Sequence, residues 1–433
     1  MDKEKFLIKG LAGSRTLEGE IPVGGAKNAA LKVIAASLLF KDDVELKNVP
    51  NIEDIKKLIE LVRDIGFGAV SSKEHSYIIS PKDRISTVLS PEIAKKIRSS
   101  VVLTGPLLAR TGRVVFPHPG GCIIGARPID FFLKSYEMMG AKIKETKDKY
   151  IIEAKDGKLI GAKIFLPIPS VTVTETIMMA GVLAKGVTTI RNAALEPEIE
   201  ELAKFLNKCG ANIQGAGTST VIVRGGPLLK TGGVPLSIMP DRIEAGSFLI
   251  LAALAGKDVT VTQCNPDHIE ALVDVLRRSG VKIDIEKSSL RVTCDSRNKK
   301  KEFQSLDIKT HEYPGFPTDL QAPMTVFLTQ AVGESLVHET IFEGRLAYAE
   351  SLEAMGADIT PMDPHRMLVK GATPLHGKDL ESPDLRAGLA FVLAAIVSKG
   401  NSTVHNVYNI DRGYESVEKR FAKIGVDILR VSE

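Results

Sequence analysis

The stretch FPHPGGCIIGARPID, residues 116–130, sets a thiol, Cys122, five residues before a guanidinium, Arg127. Pro117, Pro119, Gly120 and Gly121 argue against regular structure there, so the thiol is expected in a loop. A thiol beside cations is partly thiolate and can also serve as an acid near neutral pH. Cys209, Cys264 and Cys294 lack such a setting and read as inert, buried residues. Six further places are unusually polar helix starts: Lys27-Asn28, Arg98-Ser99-Ser100, Ser170 to Thr174, Asp241-Arg242, Thr318-Asp319 and Asp384-Leu385-Arg386. Capping explains any one of them. Their recurrence at one structural position favours a set of helix ends, each offering unpaired N–H groups and a positive dipole end to an anion.

The elements that carry these residues repeat. An amphipathic helix running into glycine and then a short β-type stretch appears as LVRDIGFGAV, YEMMGAKI, FLNKCGANI, LRRSGVKI, LEAMGADI and FAKIGVDI. Gly66, Gly140, Gly210, Gly280, Gly356 and Gly425, spaced 69 to 76 residues apart, fall where a helix ends in a left-handed residue. Ile52, Ile55, Leu58, Ile59 and Val62 form the buried stripe of the first such helix, with Asn51 placed to cap it. In the fourth copy Asn265 and Pro266 suit the cap and first turn, and Ile269, Leu272, Val273 and Leu276 the stripe. Before each lies a more apolar helix and a strand, as in LKVIAASLLF and VELKNV, so the first helix is expected to be buried on most sides.

The pattern predicts an α/β fold of two similar domains, built from six repeats of a roughly 70-residue βαβαββ-type unit. The sixth copy stops early at VDILRVSE, and FLIKG near the start matches MLVKG, which leads from the fifth copy into the sixth. Residues 1–20 are therefore expected to complete the last unit, giving domains 21–236 and 237–433 plus 1–20. A cleft between such lobes is a preferred ligand site.

Composition excludes several function classes. The 57 basic and 53 acidic residues leave a net charge of +4, too small and diffuse for a nucleic-acid footprint. No cysteine or histidine spacing suits zinc. The start lacks an apolar core and the longest apolar run, near Leu389 to Val397, is too short to span a bilayer, so a cytoplasmic chain without membrane attachment is expected.

GGAKNAALKVIAASLL, PGGCIIGARPID, EPEIEELAKFLNKCGA, PDRIEAGSFLILAA, FPTDLQAPMT, PDLRAGLAFVLAA and YNIDRGYESVEKRF together resemble the UDP-N-acetylglucosamine 1-carboxyvinyltransferases, the enolpyruvyl transferases that open peptidoglycan synthesis. The resemblance runs along essentially the whole chain. It implies two similar inside-out α/β barrel domains, phosphoenolpyruvate as donor, UDP-N-acetylglucosamine as acceptor and phosphate as leaving group, with no metal or organic cofactor and a monomer or weak homo-oligomer. It implies further that Lys27, Arg98, Arg127 and Arg412 surround the donor's phosphate and carboxylate, for which arginine offers a planar fork. Cys122 takes the place of the general acid and of the thiol alkylated by the epoxide fosfomycin, and Asp319 that of the group accepting the proton of the 3′-hydroxyl. Asn28 would contact the sugar, and Arg127, Pro128, Ile129, Asp130, Ser170 and Val171 the uridine diphosphate. Ile341, Arg345, Asp384 and Arg386 would complete the substrate contacts.

The chain departs from the family pattern at Glu343-Gly344-Arg345, at Ser170-Val171-Thr172 and at Ile168, where some members carry lysine. His118, four residues before Cys122, is also unusual; if protonated it would lower the thiol pKa slightly. Two other readings stay open: a 5-enolpyruvylshikimate-3-phosphate synthase-like transferase, which lacks the PGGC loop, and a sugar-nucleotide-binding homologue without turnover.

Overall fold

The structure, a computed structural model, describes residues 4–118, 129–294 and 302–432. Cys122, Arg127 and Pro128 lie outside the described residues. The chain forms two compact units, one of residues 25–118 and 129–239, the other of residues 4–24 and 240–432. Each has its own hydrophobic core.

The core of each unit is helical. In the 25–239 unit the helix Lys27–Ala36 buries every residue but Asn28, and Val171–Val182 is buried from Val173 onward. In the other, Arg242–Ala255, Gln321–Thr329 and Leu385–Val397 are buried almost throughout and pack on one another. Their nearly unbroken apolar sequences leave no polar face to turn to solvent. The amphipathic helices, such as Glu53–Asp64, bury one face, here Ile55, Leu58, Ile59 and Val62 with Ile52 before them, joined by Leu61 and Asp54.

Among the described residues three sheets accompany the helices of each unit, and one strand order recurs. In the first, Leu236–Ser237 lies parallel to Val44–Lys47, followed by Ser76–Ser80 and Gly68–Lys73, both antiparallel. The sheet of Lys163–Phe165, Val187–Arg191, Thr220–Arg224 and Asn212–Gln214 repeats it. In the sheet of Arg113–Pro117 the parallel edge shrinks to a bridge between Val88 and Val115. The last sheet is finished by the N-terminus: Glu4–Lys9 sits between Asn401–His405 and Asp427–Ser432, with Phe6 opposite Val404 and Arg430. The next strand, Leu17–Pro22, instead edges the sheet of Gly256–Thr262.

Gly66, Gly140, Gly210, Gly280, Gly356 and Gly425 all have positive φ, between 83° and 104°, just past the ends of their helices. Asn265 caps through Asp267 N, with Pro266 in the first turn. Two local expectations change. Ile52, one residue after the expected Asn51, occupies the cap position of Glu53–Asp64. Pro117 ends a strand, opposite Lys149, because an edge position loses nothing to its missing N–H.

The chain passes from one unit to the other at Gly24–Gly25 and at Met239–Pro240. Gly24 N donates to Glu244 Oε2 at 2.7 Å, and Arg420 grips both oxygens of Glu244, at 2.6 and 2.8 Å, while also reaching Pro22 O. At Gly25 a Cβ would stand 1.8 Å from Asn48 O. Only glycine lets the backbone pass there.

Candidate active site

In the 240–432 unit three expected site residues meet directly. Asp319 lies in the short 3₁₀ turn Thr318–Leu320 that opens into the buried helix Gln321–Thr329. Arg345 Nη2 donates to its Oδ1 at 2.7 Å and Arg386 Nη2 to its Oδ2 at 2.8 Å. Both arginine side chains are 5% exposed, against 27% for the aspartate. Burial alone would raise the Asp319 carboxyl, but Arg386 and Arg345 outweigh it and hold it well below the usual carboxylate range.

Each arginine is anchored at its other end. Arg386 Nη1 donates to Tyr414 Oη at 2.8 Å, and that hydroxyl is 3.2 Å from Ser247 Oγ on the helix Arg242–Ala255. Arg345 Nη1 donates to Thr318 Oγ1 at 2.9 Å, and Thr318 donates to Glu339 Oε2 at 2.8 Å. Glu339 is fully buried and also accepts from Ile341 N at 2.8 Å, which fixes the Ile341 backbone beside the network. The sequence did not single out Tyr414 or Glu339. Tyr414 sat two residues past Arg412 in YNIDRGYE, a motif read for its arginine, and nothing local distinguished Glu339 from a surface acid.

Asp384 is the N-cap of Leu385–Val397, with Oδ1 accepting from Arg386 N at 2.7 Å and Ala387 N at 3.1 Å. One oxygen therefore orients the Arg386 backbone, a capping role. Arg412 follows the helix Val407–Asp411 and is half-buried; Arg430 holds the preceding Asp411 through both carboxylate oxygens, at 2.8 and 2.7 Å.

In the 25–239 unit the expected residues again occupy helix starts. Lys27 opens its helix nearly buried, with Nζ 2.7 Å from Asp54 Oδ2 on the helix Glu53–Asp64; Asn28 is half-buried in the same turn. Asp54, in the first turn of that helix, is itself buried. Arg98 begins the 3₁₀ segment Arg98–Leu103, which packs on both the Lys27 and Val171 helices. The buried Ser99 Oγ beside it has no hydrogen-bond partner among the described residues.

Ser170 caps the Val171 helix, its Oγ accepting from Val173 N at 3.5 Å, a long contact that leaves the hydroxyl weakly committed. Ile129 is buried at the cap of Asp130–Met138, and Asp130 Oδ1 has no hydrogen-bond partner among the described residues. His118 Nε2 lies 2.8 Å from Thr146 O, and its ring centroid 4.4 Å from that of Tyr150, so it is packed on the hairpin Ala141–Glu145 and Lys149–Ala154. Cys209 and Cys264 are buried, and burial pushes both thiols up to about 11. Cys294 is only half-buried, with Arg15 Nη1 3.6 Å from its sulfur, contrary to its reading as a core residue. No cluster of three histidine, cysteine or acidic side chains suited to a metal occurs among the described residues, and no described helix is long and apolar enough to cross a membrane.

Buried helices packed with three sheets in each unit, with basic side chains and a clamped carboxylate at helix starts, define an α/β fold shared with enolpyruvyl transferases. The enolpyruvyl transferase NikO from Streptomyces tendae superposes with a TM-score of 0.86 at 22% identity over 100% of both chains. The 5-enolpyruvylshikimate-3-phosphate (EPSP) synthase from Acinetobacter baumannii gives 0.75 at 19% identity, over 99% of this chain and 100% of that one. The chain belongs to the EPSP synthase (3-phosphoshikimate 1-carboxyvinyltransferase) family, whose model matches residues 11–421.

Within that family it is similar to UDP-N-acetylglucosamine 1-carboxyvinyltransferase 1 of Caldanaerobacter subterraneus subsp. tengcongensis, 43% identical over 99% of this chain and 100% of the relative. The UDP-N-acetylglucosamine 1-carboxyvinyltransferase of Campylobacter fetus is 43% identical over 98% and 99% of the two chains.

Proposed function

We propose that this protein transfers the enolpyruvyl group of phosphoenolpyruvate to the 3′-hydroxyl of UDP-N-acetylglucosamine, releasing inorganic phosphate and serving peptidoglycan synthesis in the cytoplasm. The observation that carries the proposal is the Asp319 carboxylate held between Arg345 and Arg386, in a chain 43% identical from end to end to relatives named for that reaction. Lys27, Arg98, Arg127 and Arg412 bind the phosphate and carboxylate of the donor. Asn28, Arg127, Pro128, Ile129, Asp130, Ser170 and Val171 bind the sugar nucleotide, together with Ile341, Arg345, Asp384 and Arg386.

The chemistry is an addition followed by an elimination. Cys122 gives a proton to C3 of phosphoenolpyruvate while the 3′-oxygen attacks C2 and passes its proton to Asp319. Loss of a C3 proton to the Cys122 thiolate, and of phosphate with the proton held by Asp319, then restores the double bond and both side chains. A carboxylate bound by two guanidiniums is a poor base, so the substrate anions must draw at least one arginine from Asp319 before attack. Excluding water at that moment protects the electron-poor C2.

The test is phosphate release from phosphoenolpyruvate with UDP-N-acetylglucosamine, with shikimate 3-phosphate, and with neither. Turnover only with the sugar nucleotide is expected. Turnover with shikimate 3-phosphate alone would move the chain to the other acceptor, and nucleotide binding without turnover would make it a non-catalytic homologue. Size-exclusion chromatography with light scattering tests the monomer or weak homo-oligomer expected here.

A further inference from the structure

Lys32 and Glu175 are charged, buried and unused by the proposed reaction. Lys32 Nζ lies 2.9 Å from Glu175 Oε2, with side chains 7% and 0% exposed. Lys32 stands five residues after Lys27 on one buried helix, and Glu175 five residues after Ser170 on another. The pair therefore joins the helices whose first turns carry Asn28 and Val171.

The surroundings are unbalanced. Neither oxygen of Glu175 has a well-directed hydrogen-bond donor among the described residues. Glu196 and Glu198, at the start of the helix Pro197–Lys208, are both buried and close enough to act on the Glu175 carboxyl. Burial raises the Glu175 carboxyl, Lys32 lowers it, and Glu198 and Glu196 add to the rise, leaving it pushed up to about 7. Of the other charged groups on elements packed against the Val171 helix, Lys27 is paired with Asp54 at 2.7 Å, Arg98 and Asp130 are half-buried, and Arg110 turns to the carbonyl oxygens of Leu38 and Phe40. Lys134, Glu137, Arg191 and Arg224 are exposed.

A buried ion pair is a poor device for stability, since apolar residues of similar volume usually do as well. The sign here is sharper. A carboxyl whose folded pKa lies above its unfolded value makes the fold less stable as pH rises through that range. Ionised Glu175 thus works against folding, which leaves positioning as its use.

We propose that Lys32 and Glu175 are positioning residues whose charged pairing holds the Ser170–Val171 end of its helix in register with Lys27 and Asn28, so that sugar-nucleotide binding requires the pair in its ionised form. This rests on the reading of Ser170 and Val171 as diphosphate contacts.

UDP-N-acetylglucosamine has no group that titrates between about pH 6 and about pH 8, so its affinity reports on the protein. Calorimetric titration of the full chain is expected to give binding about tenfold weaker at the lower pH, with proton release on binding near neutrality. Glu175→Gln should bind as weakly as the wild type does at about pH 6, at every pH, and Lys32→Met should behave likewise. Glu175→Gln should also unfold at a higher temperature than wild type at about pH 8, a gain in stability that a merely structural loss cannot produce. Wild-type affinity that ignores pH, or a pH slope retained in Glu175→Gln, overturns the coupling alone. If Glu175→Gln does not fold, the wild-type slope and proton release, measured in two buffers of different ionisation heat, decide the matter. Absence of binding at every pH removes the functional reading and the coupling together.

Discussion

The Asp319 carboxylate and the Arg386 guanidinium meet at 2.8 Å, and the second nitrogen of that guanidinium is held at 2.8 Å by the buried Tyr414 hydroxyl. With Arg345 on the other oxygen, the aspartate is both the counterion of two nearly buried cations and the proposed proton acceptor. Asp319→Asn removes both roles. Enolpyruvyl transfer is expected to fall by at least about 100-fold, and stability by about 3 kcal/mol, because two guanidiniums lose their partner. The folded carboxyl is held below its ordinary value, so its contribution is complete above the unfolded pKa and disappears as pH falls through the lower folded one. Urea denaturation at neutral and at strongly acidic pH checks this: the gap between wild type and Asp319→Asn should close only in acid.

The thiols should separate cleanly by reactivity. Cys209 and Cys264 are pushed up to about 11, so at neutral pH only on the order of one molecule in several thousand carries either thiolate, and both are buried. Iodoacetamide or fosfomycin followed by peptide mass mapping should leave these two unmodified in the folded protein and label Cys122. Labelling of Cys209 or Cys264 at the rate of Cys122 would contradict this assignment. Cys122→Ala should lose both the adduct and most of the transfer activity.

His118 tests a narrower point. Its ring is packed on Tyr150 and on the carbonyl of Thr146, which gives it a role in holding the end of its strand. His118→Ala is expected to leave the pH dependence of Cys122 alkylation unchanged and to cost roughly 1 kcal/mol in thermal unfolding, the size of a lost packing and hydrogen-bond contact. An alkylation profile shifted along the pH axis would instead give the imidazole a part in tuning the thiol.

The sequence carried the repeat well, because its markers are local. A glycine past a helix end and an unbroken apolar helix can each be read from a dozen residues, and Gly66 to Gly425 and the Leu385–Val397 helix are where they were expected. The positions of Asp319 and Arg386 at helix starts were legible for the same reason, whereas Arg345 came only with the family resemblance. Their mutual contacts were not, because Tyr414 reaches Arg386 over 28 residues and Arg386 reaches Asp319 over 67. Lys32 and Glu175 stayed hidden for a different reason. Each sits inside an otherwise apolar helix, where a single charge gives no sign of its partner until the two helices are packed.

The two glycines of GGAKN make the sharpest contrast between neighbours. A Cβ on Gly25 would lie 1.8 Å from Asn48 O, a backbone atom that cannot swing aside, and Asn48 is itself fixed by the donation of Nδ2 to Ile238 O at 2.9 Å. A Cβ on Gly24 would meet only Glu244 Oε2, at an ordinary 3.5 Å, and alanine there keeps the N–H that Glu244 accepts. Gly25→Ala is therefore expected to cost more than about 2 kcal/mol, as backbone must move in a packed interior. Gly24→Ala should stay within about 1 kcal/mol of wild type, with the reduced freedom of the unfolded chain offsetting small adjustments. The segment leads directly into Lys27, so Gly25→Ala should also raise KM for phosphoenolpyruvate in whatever fraction folds. Denaturation midpoints of the two variants side by side check the prediction, and equal losses at both positions would mean that the close approach at Asn48 does not constrain this turn.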